Sequence, residues 1–302
     1  MTQNAISPEN ARMVELLESL GTREGFSPTG LEGVQVIKNI RTQPRSPAVY
    51  NPSVVIVAQG QKKGYLGDRT YTYDPDNYLT LSVLLPFECE IVRASEDNPF
   101  LALSIGVDIA VLSELMLELG EPTGGTKTVC GVSSCRLTPE LRGAAVRLLE
   151  CLQTHEECRI LGRQVVREII FRVLQGEQGA ALRALTGMHG SFSQIARALQ
   201  RIHTEYHSPL DVETLARTAN MSVSVFHQHF KTVTSTSPIQ YIKSIRLHKA
   251  RMLMAQEGFN AKSAAGEVGY SSPSQFSREF KRVFGTSPAE EANRMRHIGF
   301  SE

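Results

Sequence analysis

Two segments of this chain align without a gap at a constant offset of 50 residues. Residues 222–238 read SVSVFHQHFKTVTSTSP, and residues 272–288 read SPSQFSREFKRVFGTSP. Nine of the seventeen positions are identical, including two serines, two phenylalanines and the closing Thr-Ser-Pro. Because the phenylalanines stand four residues apart in both copies, the repeat predicts two similar helices, each with both rings on one buried face.

Each copy is preceded by a short helical segment and a tight corner. Asn220 stands at the first corner and Gly269 at the second, and these residue types tolerate positive φ better than others. Ser222 and Ser272 follow the corners as candidate N-caps of the next helix. Both copies therefore predict a helix–turn–helix unit.

Most of the residues that differ between the copies lie away from the phenylalanine face. An exposed helix of a helix–turn–helix unit fits the major groove of double-stranded DNA, where each base pair presents its own donors and acceptors. Glutamine pairs well with adenine and arginine with guanine, whereas lysines and helix N-termini suit phosphate. The residues predicted to contact DNA are Ser222, Ser224, His227, Gln228, Lys231, Ser272, Ser274, Gln275, Ser277, Arg278 and Lys281.

A long helical segment at residues 238–256 separates the two units. At 1.5 Å per residue it spans roughly 27 Å, which suits two recognition helices one DNA turn of about 34 Å apart. Residues 191–302 hold 14 Lys and Arg against 9 Asp and Glu, a net charge of +5. Residues 1–190 hold 18 against 22, a net charge of −4. The charge asymmetry agrees with a polyanion partner for the C-terminal part alone.

The first part of the chain reads as a β-rich region followed by helices. A short amphipathic helix with a serine N-cap is predicted at residues 7–20. Residues 33–103 show short β-rich runs separated by turn residues, as in an antiparallel sandwich or barrel. Asp74–Asn77 is predicted to form a hairpin turn, and the pattern from Asp108 onward is helical.

The chain is expected to divide into two domains near His189. At 302 residues it is longer than one ordinary hydrophobic core holds, and glycine-containing breaks at residues 175–179 and 187–190 separate the first part from the last hundred residues. The predicted domains are residues 1–190 and residues 191–302. Together they indicate an α+β two-domain protein with an all-α C-terminal domain.

Several classes of protein are disfavoured. No window approaches 18 consecutive apolar residues and no secretory signal begins the chain, so we expect a cytoplasmic protein without a membrane span. Five cysteines without a CxxC pair favour reduced thiols. Paired catalytic carboxylates, GxSxG and Walker loops are missing, so an enzyme is disfavoured and no catalytic residue or cofactor is predicted.

Histidine positions argue against a metal site in the first domain. The eight histidines begin at His155, so no His-ligated metal is expected among the β-rich runs. His203 and His207 stand four residues apart, as in a helical metal pair. Without a third ligand, we interpret them as a solvated helix face, and no metal ligand is predicted.

The C-terminal residues resemble the AraC/XylS regulators, whose hallmark is two helix–turn–helix units joined by a long helix. The resemblance covers about 100 residues through LARTANMSVSVFHQHFK, SPIQYIKSIRLHKARMLM and AAGEVGYSSPSQFSREFKRVFGTSP. Family members usually carry an aromatic residue and an arginine just after the second Ser-Pro. This chain has Glu290-Glu291-Ala292 there, whereas Tyr241 keeps the aromatic in the first copy.

The N-terminal residues resemble the first domain of an AraC subgroup. The segments that carry the likeness are YNPSVVIVAQGQKKGYLGDRTYTYD, SVLLPFECEIVRASEDNPFLALSI and VVREIIFRVLQGEQGAALRAL. The resemblance implies a small cupin-like antiparallel β-barrel followed by helices, which binds a small-molecule effector, mediates dimerisation, or both. It further implies a homodimer, an activator role and, for an activator, contact with RNA polymerase.

Three alternatives for the first domain stay open. Alternating apolar residues are expected to line an interior that binds an organic effector, and those singled out as effector-binding are Val54, Ile56, Leu81 and Val83. Arg41 and Arg45 form an RxxxR pair on a proline-bearing loop, a spacing that suits the phosphates of a cyclic dinucleotide. The companion DxSxxG-like segment of such receptors is missing. The third alternative is a domain that only dimerises.

Overall fold

The computed structural model describes residues 7–21, 23–120, 130–176, 179–186 and 190–298. The chain divides into two compact units. Unit 1 comprises Met1–Arg45 and Tyr50–Ser193, and unit 2 comprises Ser46–Val49 and Gln194–Glu302.

The described residues form ten strands and twelve helices. The strands are β1 Gly25–Pro28, β2 Val34–Asn39, β3 Gln43–Tyr50, β4 Ser53–Gln59, β5 Gln61–Leu66, β6 Arg69–Tyr73, β7 Asn77–Leu81, β8 Leu85–Arg93, β9 Phe100–Gly106 and β10 Val132–Arg136. The first helices are α1 Pro8–Leu20, α2 Ile109–Leu119, α3 Pro139–Cys151, α4 His155–Gln175 and α5 Gly179–Thr186. The later helices are α6 Ser191–Glu205, α7 Val212–Thr218, α8 Val223–Thr234, α9 Pro238–Gln256, α10 Ala261–Glu267, α11 Pro273–Phe284 and α12 Pro288–Ile298.

The strands form two antiparallel sheets. The larger sheet has the order β1-β2-β9-β4-β7-β10, and the smaller has the order β3-β8-β5-β6. Strands β4 and β9 lie at the centre of the larger sheet, and all but the last residue of each is buried. Burial on both faces explains why they read as continuous apolar runs, whereas β8 alternates between buried and half-exposed residues. The predicted antiparallel β-domain with helices is confirmed.

The helical layer covers one face of the larger sheet, and this corrects the predicted interior. Val54 and Ile56 pack in one apolar cluster with Met13 and Leu17 of α1 and with residues of α3 and α4. They therefore face the helices rather than the smaller sheet. Leu81 pairs with Ser53, so by strand alternation it faces the opposite side from Val54.

Two further predictions are corrected by strands that form through tertiary pairing. The chain is not helical throughout after Asp108, because β10 adds to the edge of the larger sheet with Val132 opposite Leu81. Its sequence, VSSCR, has little β-propensity of its own, and pairing with β7 decides its conformation. Arg45 lies in β3 rather than in a flexible loop.

The predicted cap of α1 is confirmed. The predicted turn at Asp74–Asn77 also forms, but its flanking strands do not pair with each other as they would in a hairpin. Ser7 accepts a hydrogen bond from the backbone N–H of Asn10 at 3.2 Å and so caps α1. Asp74 and Asn77 exchange two backbone hydrogen bonds of 3.0 Å. This turn joins β6 of the smaller sheet to β7 of the larger sheet, so it also passes the chain from one layer to the other.

Unit 1 also buries a lysine that has no carboxylate partner among the described residues. Lys62 is 5% exposed, and its Nζ donates to the Tyr50 hydroxyl at 2.8 Å. Burial lowers the pKa of its ammonium. The charged form is therefore disfavoured in the native state.

We expect Lys62→Met to stabilise unit 1 by about 1 kcal/mol or more at neutral pH, because it removes a desolvated amine while keeping the volume. Hydrogen exchange of β5 amides in the full-length protein measures the change. Lys63→Met is the matched control, since its side chain lies on the other face, and we expect it to stay within about 0.5 kcal/mol. A destabilised Lys62→Met protein would contradict this explanation.

Candidate nucleic-acid interface

Unit 2 contains the two predicted helix–turn–helix units, α7–α8 and α10–α11, joined by α9. The bounds predicted for the long helix, residues 238–256, are confirmed for α9. Ser222 accepts a hydrogen bond from Val225 N at 3.4 Å, and Ser272 accepts one from Gln275 N at 3.3 Å. Both serines therefore cap the second helix of their unit, as expected.

Each corner contains one residue with positive φ. Asn220 has φ 51° and Gly269 has φ 82°. The residue after each corner donates its N–H to an alanine carbonyl of the preceding helix, Met221 to Ala216 and Tyr270 to Ala265, both at 2.9 Å. The prediction from residue type is confirmed, although the second copy carries one extra residue before its cap.

The repeated phenylalanines form the core of each unit. The rings of Phe226 and Phe230 lie 5.3 Å apart, and those of Phe276 and Phe280 lie 5.5 Å apart. All four side chains are buried. Pairs in this range of separation and tilt add to the burial energy. The identical phenylalanines of the repeat therefore hold the helices in place.

The predicted DNA-contacting residues lie together on the outer faces of α8 and α11. Ser272 is half-buried, and the other ten are exposed. On α11 the exposed side chains include Arg278, Lys281 and Arg282, whereas α8 carries only Lys231 as an exposed lysine or arginine. The second helix therefore offers more positive charge to phosphate than the first.

Glu279, which differs between the copies, does not belong to the exposed face. Its carboxylate accepts hydrogen bonds from Lys243 Nζ of α9 at 2.7 Å, from the Tyr270 hydroxyl at 2.7 Å and from Gln275 Nε2 at 3.1 Å. Burial alone would raise the pKa of Glu279, but these donors hold it below its ordinary value. The contacts fix α11 against the long helix.

Sequence reasoning missed the role of Glu279, although a signal was present. Glu279 follows Phe276 by three residues, and that spacing places it on the buried side of the helix. The equivalent residue of the first copy, His229, is likewise half-buried. Of the three mismatched positions in the middle of the repeat, only the first two face outward.

Arg246 of α9 fixes the second corner to the segment after α6. Its guanidinium donates to the carbonyl oxygens of Tyr206 at 2.7 Å, Ser208 at 2.8 Å and Gly269 at 3.2 Å. Burial lowers the pKa of Arg246. Arg246 therefore links the segment that precedes the first helix–turn–helix unit to the corner of the second helix–turn–helix unit.

The departure from the family pattern after the second Ser-Pro has a structural counterpart. Glu291 takes the position of Tyr241, and its side chain is 1% exposed. It pairs with Arg251 at 2.7 Å and accepts from the Thr286 hydroxyl at 3.2 Å. A buried ion pair replaces the aromatic ring, so this end of the second unit is packed.

Glu290, the neighbouring acidic residue, completes the start of α12. The Ser287 side chain accepts from Glu290 N at 3.2 Å, and the Glu290 carboxylate accepts from Ser287 N at 2.8 Å. This is a capping box, in which two otherwise free N–H groups are satisfied reciprocally.

The interpretation of His203 as part of a solvated face is wrong. Its Nε2 lies 2.7 Å from the Tyr241 hydroxyl, and burial lowers its pKa to about 4. His203 therefore packs within the first helix–turn–helix unit, while His207 is exposed. No group of three or more His, Cys, Asp or Glu suitable for a metal ion occurs among the described residues.

Within the ranges that the structure describes, no helix has the length and apolar character needed to cross a membrane.

Comparison with known families gives two matches. Residues 30–181 match the family described as "AraC-type transcriptional regulator N-terminus". Residues 215–294 match a helix-turn-helix domain. The two matches fall on the β-domain with its helices and on the α7–α12 region.

Curated relatives and solved structures are similar to this chain over different lengths. The regulator AlkR of Acinetobacter baylyi is 37% identical over 95 residues, which cover 32% of this chain and 31% of AlkR. VirF of Yersinia enterocolitica, a virulence regulon transcriptional activator, is 24% identical over 240 residues, covering 78% of this chain and 86% of VirF. This chain thus spans about a third of the length of AlkR.

An apo ToxT structure from Vibrio cholerae shows the similarity of fold. It covers 90% of this chain and all of the ToxT chain at 14% identity, with a TM-score of 0.58.

Proposed function

This chain belongs to the family of AraC-type transcriptional regulators, and we propose on that premise that it is a sequence-specific DNA-binding regulator of transcription. One observation carries the proposal: the repeat buries its identical phenylalanines and exposes the residues that differ at positions 227–228 and 277–278. Two similar scaffolds thereby present different side chains. We propose that α8 and α11 enter successive major-groove segments of one asymmetric site.

The exposed side chains are proposed to divide into base contacts and phosphate contacts. Gln228 and Arg278 are suited to bidentate hydrogen bonds with adenine and guanine, respectively. Lys231 and Lys281 supply phosphate contacts, which position the protein without reading sequence. The capping serines add N-terminal helix amides close to the backbone of the DNA.

Unit 1 is proposed to control DNA binding by helices α8 and α11. Its match to the AraC N-terminal family supports binding of a small-molecule effector, dimerisation, or both. Exposed apolar side chains on α2 and α4, such as Leu117 at 84% and Ile160 at 51%, suit a homodimer contact. We favour an activator that contacts RNA polymerase, with a purely dimerising unit 1 as the alternative.

The cyclic-dinucleotide alternative is the least favoured. Arg45 pairs with Glu88 and lies over the Tyr65 ring at 4.1 Å from its centroid. Arg41 lies 3.5 Å from Glu96. Both guanidiniums already have acidic neighbours, and a dinucleotide would have to displace them.

DNA binding and its two kinds of contact are tested by titrating the full-length protein with selected DNA sites at several salt concentrations. The logarithm of the association constant is expected to fall linearly with the logarithm of salt concentration, with a slope of several units. Arg278→Ala should weaken the preferred site by about 1–3 kcal/mol and relax one base position. Lys281→Ala should weaken all sequences alike and reduce the slope by about one.

Arg159→Ala, at an exposed position of α4 in unit 1, is the control. It is expected to leave the DNA affinity and the salt slope unchanged. A slope near zero would show that the protein does not bind DNA through phosphate neutralisation. Equal loss of base preference in Arg278→Ala and Lys281→Ala would show that the proposed division between base and phosphate contacts is wrong.

A further inference from the structure

Unit 1 contains an open cleft that none of the predicted effector residues lines. Its volume is ≈ 630 Å³, within the range of small-molecule sites. It lies where the first turns of α1, the ends of β4 and β8, and α3 come together. Lining residues that matter below are Asn10, Gly60, Asp76, Arg93, Asn98 and Arg142.

Arg142 is held in the cleft by neutral acceptors. Its guanidinium donates to Asn10 Oδ1 at 2.8 Å and to the Pro75 carbonyl at 2.9 Å. Asn10 is 6% exposed and donates from Nδ2 to the Ala58 carbonyl at 2.8 Å. Two hydrogen bonds therefore fix the orientation of the cation without neutralising its charge.

Arg142 differs in this respect from Arg147 and Arg167 of unit 1, which have carboxylate partners. Arg147, five residues further along α3, pairs with Glu168 at 2.6 Å, and Arg167 pairs with Glu118 at 2.7 Å. Among the described residues, no carboxylate lies within ion-pair distance of Arg142 or of Arg93. Asp76 is the single acidic residue of the lining, so the cleft carries net positive charge.

Beside the cleft, the backbone at Gly60 approaches the neighbouring strands closely, and the strand register is irregular. Gly60 has φ 83°, and a Cβ there would lie 2.6 Å from the Arg93 carbonyl oxygen and 2.9 Å from Phe100 Cα. The strand register shifts between Val57 and Gln59 and again between Gln61 and Lys62. Such bulges are frequent beside functional sites, where they redirect side chains.

We propose that this cleft binds the carboxylate of a small polar organic acid, with Arg142 and Arg93 as its cationic partners. A fixed guanidinium with free N–H groups matches a carboxylate in charge and geometry. The amide of Asn98 and the hydroxyls of Thr42 and Ser95 suit a polar body. As an effector site this rests on the proposed function, but the binding itself does not.

The test is calorimetric titration of the full-length protein at constant ionic strength. The probes are pyruvate, glutarate and citrate, with glutaramide as the neutral analogue of glutarate and inorganic phosphate as another anion. We expect at least one acid to bind with a Kd of about 1 mM or tighter, and the corresponding neutral analogue to bind at least about tenfold more weakly.

Two variants and a control connect the binding to the cleft. Arg142→Gln and the exposed Arg93→Gln are each expected to weaken binding of the acid at least about tenfold. Arg159→Gln, on α4 and outside the lining, should bind as the wild type does. The proposal is overturned if none of the acids binds, if phosphate alone binds, or if both cleft variants bind the acid as tightly as the wild type.

DNA binding by the same protein, with and without the acid, separates this proposal from the proposed function. An acid that binds through Arg93 and leaves DNA affinity unchanged supports the site and excludes it as an effector site. Loss of DNA binding under all conditions would contradict the regulator function, while the titration of the cleft would still stand on its own.

Discussion

Arg251→Met is expected to lower the stability of the α9–α12 region by about 3–5 kcal/mol, because it removes the guanidinium that pairs with the buried Glu291 carboxylate. The Arg251 guanidinium lies 2.7 Å from the Glu291 carboxylate, whose side chain is 1% exposed. Hydrogen exchange of α9 and α11 amides in the full-length protein measures the effect. Replacing both partners, Arg251→Met with Glu291→Leu, should recover most of the lost stability.

The control for this pair is Arg201→Met, which breaks a half-exposed i,i+4 pair with Glu205 and should cost about 1 kcal/mol or less. If the double variant is as unstable as Arg251→Met alone, the buried charge is not the cause. The packing of the arginine stem on Phe284, whose ring centroid lies 5.0 Å from the guanidinium carbon, would then explain the loss.

Gly269→Ala is expected to destabilise the second helix–turn–helix unit by about 2–4 kcal/mol. The φ of 82° strains any residue with a Cβ, and this Cβ would lie 2.3 Å from the His207 carbonyl oxygen. The backbone must shift, which also disturbs the hydrogen bond from Arg246 to the Gly269 carbonyl. The same exchange measurement on α10 and α11 reports the change.

Alanine substitutions at two other glycines separate the effect of backbone strain from the effect of a close atomic contact. Gly285 has φ 76° with no atom within 4 Å of an added Cβ, so Gly285→Ala should cost only about 1 kcal/mol. Gly266 lies in α10 without positive φ and also in open space, so alanine there should stabilise by about 0.5–1 kcal/mol. Equal effects of Gly269→Ala and Gly285→Ala would show that the close approach to His207 is unimportant.

The local features of unit 2 could be predicted from the sequence because they depend on residue type at short range. Asn220 and Gly269 mark corners through their tolerance of positive φ, and the capping serines mark helix starts. The phenylalanine spacing identifies the buried face. The repeat shows the same pattern twice, so a helix–turn–helix unit could be predicted in both copies.

The features that escaped prediction depend on contacts distant in sequence. Strand β10 exists because β7 pairs with it, and Val54 faces the helices because α1 and α3 cover that side of the sheet. Arg45 sits in a strand beside Glu88, 43 residues away. A period of two shows that one face of β4 differs from the other, but it does not show which layer covers each face.

The polar contacts of the candidate interface were also only partly predictable. The exposed position of Gln228 and Arg278 follows from helical spacing alone. The role of Glu279 requires Lys243 of another helix, and the buried pair of Glu291 requires Arg251, 40 residues earlier. Electrostatic partners of this kind become visible only when the helices are assembled.

The proposal that α8 and α11 contact separate segments of one DNA site is tested most directly by selecting binding sites from random DNA with the full-length protein and two variants, Gln228→Ala and Arg278→Ala. We expect an asymmetric site with two preferred segments centred about 10–10.5 base pairs apart, and each variant should relax base preference in a different segment. A single preferred segment, or loss of preference at the same positions in both variants, would contradict it.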